Sequence, residues 1–328
     1  MSEHIRIGIA GYGNLGRGVE AAIDKNPDMT LVGVFTRRDP AQVTTLGADT
    51  VVRTMTELPS FTDEIDVLIL CGGSKDDLPV QGPELAALFT TVDSFDTHAR
   101  VPEYFAAMDA PATAAGTTAM ISVGWDPGLF SINRLYSEAL LPDGDTYTFW
   151  GRGLSQGHSD AVRRVPGVAG AAQYTLPSDT AIDAVRSGSR PVLATNQKHT
   201  RECFVVLEDG ADAAAVEQAI VTMPHYFDEY DTTVHFISAE ELARDHSAMP
   251  HGGFVIRSGN TSTEASQTIE YRLALDSNPE FTASVLVTYA RAAHRLNQQG
   301  RTGAVTVLDV APALLSPKTP AALRAELL

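Results

Sequence analysis

The feature that most restricts this chain lies near its start. Residues 5–10 read as a buried strand, and Gly11-Tyr12-Gly13-Asn14-Leu15-Gly16 follows at once, opening a helix to about Lys25. Glycines at this spacing between a strand and a helix have separate jobs. Gly11 permits the tight turn, Gly13 lets the backbone approach a pyrophosphate, and Gly16 lets helix and strand pack closely. The helix start then offers free N–H groups and the positive end of its dipole to phosphate oxygens. Strand-like stretches continue at residues 31–36, 66–71, 91–95 and 119–124, with a helix at 102–116. This alternation predicts an α/β domain with a doubly wound parallel sheet of Rossmann type.

The end of the second strand bears on the cofactor. An NAD site usually carries Asp or Glu there to bind the ribose 2′-hydroxyl. Here Thr36, Arg37 and Arg38 stand in its place, and two guanidiniums beside a hydroxyl suit a 2′-phosphate. NADP is therefore the expected cofactor. Cys71-Gly72-Gly73-Ser74 follows the strand at 66–71, and small residues at that edge leave room for a ligand. Cys71 reads as a small buried strand-end residue rather than a reactive thiol.

Composition removes several classes of function. A chain of 328 residues suggests two domains. A net charge of −17, from 24 Lys+Arg against 41 Asp+Glu, argues against nucleic acid as a partner. No apolar run approaches the ~20 residues of a membrane span, and no signal segment opens the chain. Two cysteines, Cys71 and Cys203, exclude a disulfide framework. The expectation is a cytoplasmic protein without membrane contact. Lysines are only four, at 25, 75, 198 and 318, so a lysine-based mechanism has few candidates. His158 and His251 match no metal-ligand spacing, and no metal is expected.

After Trp125 the texture changes. Strands of alternating polarity are predicted at 147–150, 171–176, 203–207, 233–237, 254–257 and 267–275, with helices at 131–140, 212–222 and 239–245 and a long one at 283–299. This reads as an α+β domain with a mainly antiparallel sheet. The expected division is 1–125 for the dinucleotide-binding domain and 126–279 for the second. Two acid-bearing loops stand out in the first domain. Asp93-Ser94-Phe95-Asp96 ends one strand, and Gly124-Trp125-Asp126-Pro127-Gly128 follows the next. An acid from each suits an ammonium group, although such acids also form turns and caps.

Five blocks taken together carry a resemblance. They are Gly11-Tyr12-Gly13-Asn14-Leu15-Gly16, Ser122-Val123-Gly124-Trp125-Asp126-Pro127-Gly128, Phe149-Trp150-Gly151, Gly153-Leu154-Ser155-Gln156-Gly157-His158-Ser159-Asp160 and Met249-Pro250-His251-Gly252-Gly253. In this order they resemble the meso-diaminopimelate dehydrogenases, from the first strand to Val310. The resemblance implies an NADP-dependent homodimer of lysine and cell-wall precursor metabolism. It would oxidatively deaminate the D-centre of meso-2,6-diaminopimelate to L-2-amino-6-oxopimelate and ammonia. It also implies that the segment from about 280 to 328 returns to the nucleotide domain, and that residues 126–279 bind substrate and dimerise.

Carried over by position, the family's cofactor contacts fall on the glycine turn with Tyr12, Asn14 and Leu15. They continue on Thr36, Arg37, Arg38, Cys71, Gly72, Gly73, Ser74, Ser94, Phe95 and Asp96, and on Val123, Gly124, Trp125, Asp126 and Pro127. Its substrate contacts fall on Asp96, Asp126, Trp150, Gln156, Thr175, Arg201, His251 and Asn278. Asp96 and Asp126 are the catalytic candidates, Trp150 the wall that excludes water, and Arg201 the anchor for the far carboxylate. One departure is Gly72-Gly73, where the family pattern has Met-Gly. Two rival readings share the glycine turn: another two-domain NADP oxidoreductase, and a non-catalytic NADP-binding module. The sugar enzymes among the first place a catalytic lysine after a strand, and the flanks of Lys75 do not fit that; the polar set of the second domain argues against the module.

Overall fold

The computed structural model describes residues 4–328 and divides into two compact units, Met1–Ile132 with Pro279–Leu328, and Asn133–Asn278. In the first unit the strands are β1 (Ile5–Ala10), β2 (Met29–Thr36), β3 (Val52–Thr54), β4 (Val67–Leu70), β5 (Thr91–Asp93) and β6 (Thr118–Met120). Strand β4 reads Val-Leu-Ile-Leu and is buried throughout, as a central parallel strand covered on both faces must be. Its side chains alternate between two cores. Val67 and Ile69 join Ile7, Ile9 and Val19 on one face, while Leu68 and Leu70 join Leu78, Leu85, Tyr104 and Met108 on the other. This period of two places the helix Asn14–Asp24 on one side and the helices Leu78–Ala86 and Val101–Ala115 on the opposite side.

Three strands end sooner than the sequence suggests, two of them for a visible local reason. Residues 121–124 are not strand, because Ser122 has φ +56° and turns the chain. β5 stops at Asp93, whose side chain accepts the Phe95 N–H at 3.0 Å and curls the backbone. Cys71 lies just beyond β4.

The second unit holds two sheets. Its strands are β7 (Asp143–Trp150), β8 (Gly153–Leu154), β9 (Val168–Pro177), β10 (His199–Leu207), β11 (Thr232–Phe236), β12 (His251–Ser262) and β13 (Ala265–Leu275). One sheet has the order β11-β10-β9-β8 and the other β13-β12-β7. All pairings are antiparallel except β10 with β11.

The chain then re-enters the first unit. The helix Asn278–Gln298 contributes Ala283, Leu286, Val287, Ala290 and Ala293 to the core that holds β1. Arg291 on this helix, 1% exposed, is fastened to Asp28 at 2.6 Å, to Asn26 and to the Leu315 carbonyl. β14 (Gly303–Val305) follows and completes a seven-stranded parallel sheet of order β14-β6-β5-β4-β1-β2-β3. Strand order reverses between β1 and β4, and ligands of such sheets bind outside the carboxyl ends at that point. Among the described residues no helix is long and apolar enough to cross a membrane.

Candidate active site

The glycine turn follows β1 at the sheet's carboxyl edge. Gly11 has φ +96°, and a Cβ there would press on the Cys71 carbonyl at 3.2 Å. A Cβ on Gly16 would collide with the Gly11 carbonyl oxygen, whereas one on Gly13 would meet nothing within 4 Å. Two glycines are thus required by the protein's own packing and the middle one only by space left open. Gly13 is the N-cap of the following helix, with no side chain to cap it, and the first turn carries no acid. That is the donor set an anionic diphosphate requires, so the residues present fit a dinucleotide.

The surrounding loops are tied to this turn. Arg38 donates to the Tyr12 carbonyl oxygen, and its own N–H donates to the buried Thr36 hydroxyl at 3.1 Å. Arg37 pairs with Asp77 at 2.7 Å, and Asp77 also accepts the Gly73 N–H at 2.9 Å. Gly72 lies so close to Asp77 that an added Cβ would come within 2.8 Å of it; glycine at the departure from the family pattern is what this packing requires. The Tyr12 side chain belongs to the core and donates to Glu20, which raises its pKa to about 12 together with burial as the larger cause. Only the Tyr12 backbone is left to face a ligand. Phe95 is likewise internal, stacked on Tyr104 at 4.2 Å, and the Cys71 thiol is pushed up to about 12 by burial.

The two acid-bearing loops meet through a residue whose role the sequence leaves open. Asp93 is completely buried. One oxygen accepts the N–H groups of Phe95 and Ser122, at 3.0 and 3.1 Å, and the other accepts the Tyr104 hydroxyl at 2.8 Å. Asp96 is exposed, with its N–H held by the Ser74 hydroxyl at 2.9 Å. Asp126 is half-buried in the loop whose Trp125 packs edge-on against Phe130. Val123 is fully buried and its N–H donates to the Asp93 carbonyl at 2.8 Å; Pro127 follows Asp126 through a cis peptide. Asp93 therefore ties the two loops together, and Asp96 and Asp126 remain the catalytic candidates.

Burial raises the Asp93 pKa to about 6, against the bonds from Phe95, Ser122 and Tyr104 that lower it. The folded value exceeds the unfolded one, so the folded state binds the proton more tightly. Stability from this group is full below pH 4 and is lost as pH rises through 6, a penalty on the order of 3 kcal/mol at neutral pH. Asp93→Asn keeps an oxygen for both N–H groups. It should raise the melting temperature at pH 8 and lose that advantage at pH 4. A variant less stable than the parent at pH 8 would contradict this account.

In the second unit six candidates form one connected cluster. Thr175 on β9 stands opposite Arg201 on β10, and its hydroxyl accepts from the Arg201 guanidinium. Arg201 is 7% exposed, lies 4.0 Å over the Tyr230 ring, and has a buried Nε without a hydrogen-bond partner. It forms no ion pair with a carboxylate among the described residues. Burial pulls its pKa down, against the Tyr230 contact that raises it. Trp150 ends β7 with its N–H on the His199 ring at 2.8 Å. β8 brings Gly153 opposite Thr175, and a Cβ on Gly153 would enter the His251 ring, so the imidazole occupies room that only glycine leaves. Gln156 donates to the Met249 sulfur at 2.9 Å, and the Met249 carbonyl accepts the Asn278 N–H at 2.9 Å. Tyr230 and His199 are contacts that motif spacing does not reveal. Among the described residues no three His, Cys, Asp or Glu converge on a metal position.

Comparison with known proteins agrees with this picture. Residues 124–277 match the family model described as the diaminopimelic acid dehydrogenase C-terminal domain. A meso-diaminopimelate D-dehydrogenase of Ureibacillus thermosphaericus is 64% identical over 324 residues, covering 99% of both chains. That of Corynebacterium glutamicum is 50% identical over 315 residues, covering 96% of both. The C. glutamicum enzyme solved in complex with DAP superposes with a TM-score of 0.93 at 49% identity, covering all of both chains. An engineered D-amino acid dehydrogenase bound to NADP+ gives 0.88 at 48% identity, covering 99% of this chain and 100% of the other.

Proposed function

The chain belongs to the meso-diaminopimelate D-dehydrogenase family, and we infer that it deaminates the D-centre of meso-2,6-diaminopimelate oxidatively and reversibly, with NADP as acceptor. One water is consumed, adding to the imine left by hydride loss, and the products are L-2-amino-6-oxopimelate, ammonia, NADPH and a proton. The observation that carries the reading is Arg201, a buried guanidinium with a bare Nε. Burying a cation without its anion costs several kcal/mol, and a substrate carboxylate offsets that cost.

The far, L-configured end of the substrate is assigned to the second unit. Arg201 and Thr175 take its carboxylate, His251, Asn278 and Gln156 give hydrogen bonds of fixed direction, and Trp150 keeps bulk water out. The reacting end is assigned to Asp96 and Asp126, which hold the ammonium and accept its proton. When bound, the nicotinamide supplies the hydride acceptor. Anchoring both ends selects which centre reacts by positioning alone. The test is NADPH formation from the meso and L,L isomers in turn. A homodimer is part of the same proposal, checked by mass in sedimentation equilibrium.

The NADP preference rests on Arg37 and Arg38. Replacing both by alanine should weaken NADP by about 10- to 100-fold, the worth of one or two charge-assisted contacts, and leave NAD nearly unchanged. An equal loss for both cofactors, measured by KM in parallel assays, would remove the 2′-phosphate assignment.

A further inference from the structure

His199 opens β10 and is 2% exposed. It belongs to the sheet β11-β10-β9-β8, yet its main partner, Trp150, ends β7 in the other sheet. Two contacts join them. The Trp150 backbone N–H donates to Nε2 at 2.8 Å, and the two rings lie stacked with centroids 5.3 Å apart and planes at 25°. Two residues further along the same strand face, Arg201 reaches Thr175. One face of β10 therefore carries the anchor and also the support of the wall beside it.

We propose that His199 is a positioning residue for substrate binding, which sets the backbone and indole plane of Trp150 through the Nε2 acceptor and the ring stack. The proposal rests on the assignment of Trp150 to the substrate. Because Nε2 accepts, the proton sits on Nδ1, and the imidazolium form would set an N–H against the Trp150 N–H. The ring must stay neutral for the contact to exist. The charged groups acting on it, Arg201 and Lys198, are both positive, and with burial as the larger cause they bring its pKa down to about 3. Arg201 thus serves twice: it receives a carboxylate, and it helps keep its neighbour unprotonated.

The experiment uses the full chain with meso-diaminopimelate and NADP. His199→Phe keeps a ring and removes the Nε2 acceptor that the Trp150 N–H uses. His199→Gln restores an acceptor at similar reach without the stack. The KM for meso-diaminopimelate should rise by about tenfold in His199→Phe and by less in His199→Gln, with the NADP KM within about twofold of the parent in both. An unchanged substrate KM in His199→Phe overturns the proposal. A second measurement does not require that variant to fold. Trp125 and Trp150 are the two tryptophans, so the Trp150 emission is the difference between the parent and Trp150→Phe. A protonated imidazole quenches an indole stacked on it. The Trp150 emission should stay flat from pH 8 to pH 5, and an inflection near 6.5 overturns the proposal. Absence of turnover by the unaltered chain would sink the functional reading instead, while flat emission would still support the contact.

Discussion

Arg201→Met is expected to raise the KM for meso-diaminopimelate by about two orders of magnitude or more, with the NADP KM changed less than about twofold. A buried, desolvated guanidinium paired with a carboxylate contributes through charge and directed hydrogen bonds together, and truncating one side of such a pair costs roughly 2–5 kcal/mol. Methionine keeps much of the volume and the packing over Tyr230 while removing the charge. The same change should make the free protein more stable, because Arg201 without an anion bears an uncompensated burial cost. Weaker substrate binding together with a higher melting temperature is the signature of a receptor waiting for its ligand. A variant that binds substrate normally would place the anchor elsewhere; one that merely unfolds would make Arg201 part of the scaffold.

The second large effect concerns the acid pair. Asp96→Asn should lower kcat by about 10²-fold or more, since it keeps shape but removes the charge and any capacity to take a proton. The loop should survive the change, because it is held through the Asp96 backbone by Ser74 and not through the carboxylate. Asp126→Asn should act in the same direction. Circular dichroism should match the parent in both variants. An unimpaired Asp96→Asn would remove Asp96 from the chemistry and leave Asp126 to carry it.

Much of this was legible in the residues, and the exceptions have physical causes. The glycine turn and the parallel strands show because backbone geometry and burial on two faces leave strong marks, as in β4. Short edge strands leave weak ones: β3 and β14 have three residues each, too few to display a period. Spacing alone could not separate Asp93 from Asp96, since both acids flank one strand end; only the family resemblance pointed to Asp96. Burial separates them, giving Asp93 to the scaffold and Asp96 to solvent. Tyr12 and Phe95 stand within binding motifs, but their side chains fill cores, so only their backbones are available there. Tyr230 and His199 were invisible because they touch the candidate residues Arg201 and Trp150 from distant parts of the chain. The contacts appear only once β9, β10 and β7 are assembled.

Selection of the D-centre by two anchored ends is measured by initial NADPH formation with meso- and with L,L-diaminopimelate at equal concentrations. In the proposed mechanism one L-end is held by Arg201, Thr175 and His251, and only a D-configured far centre then presents its hydrogen for transfer while its ammonium meets Asp96 and Asp126. An L-centre in that place turns its hydrogen away or brings a carboxylate against two acids, a repulsion that costs several kcal/mol where water is scarce. Steady turnover of the meso isomer is expected, with a rate on the L,L isomer lower by about three orders of magnitude or more. Comparable rates on the two isomers would contradict it.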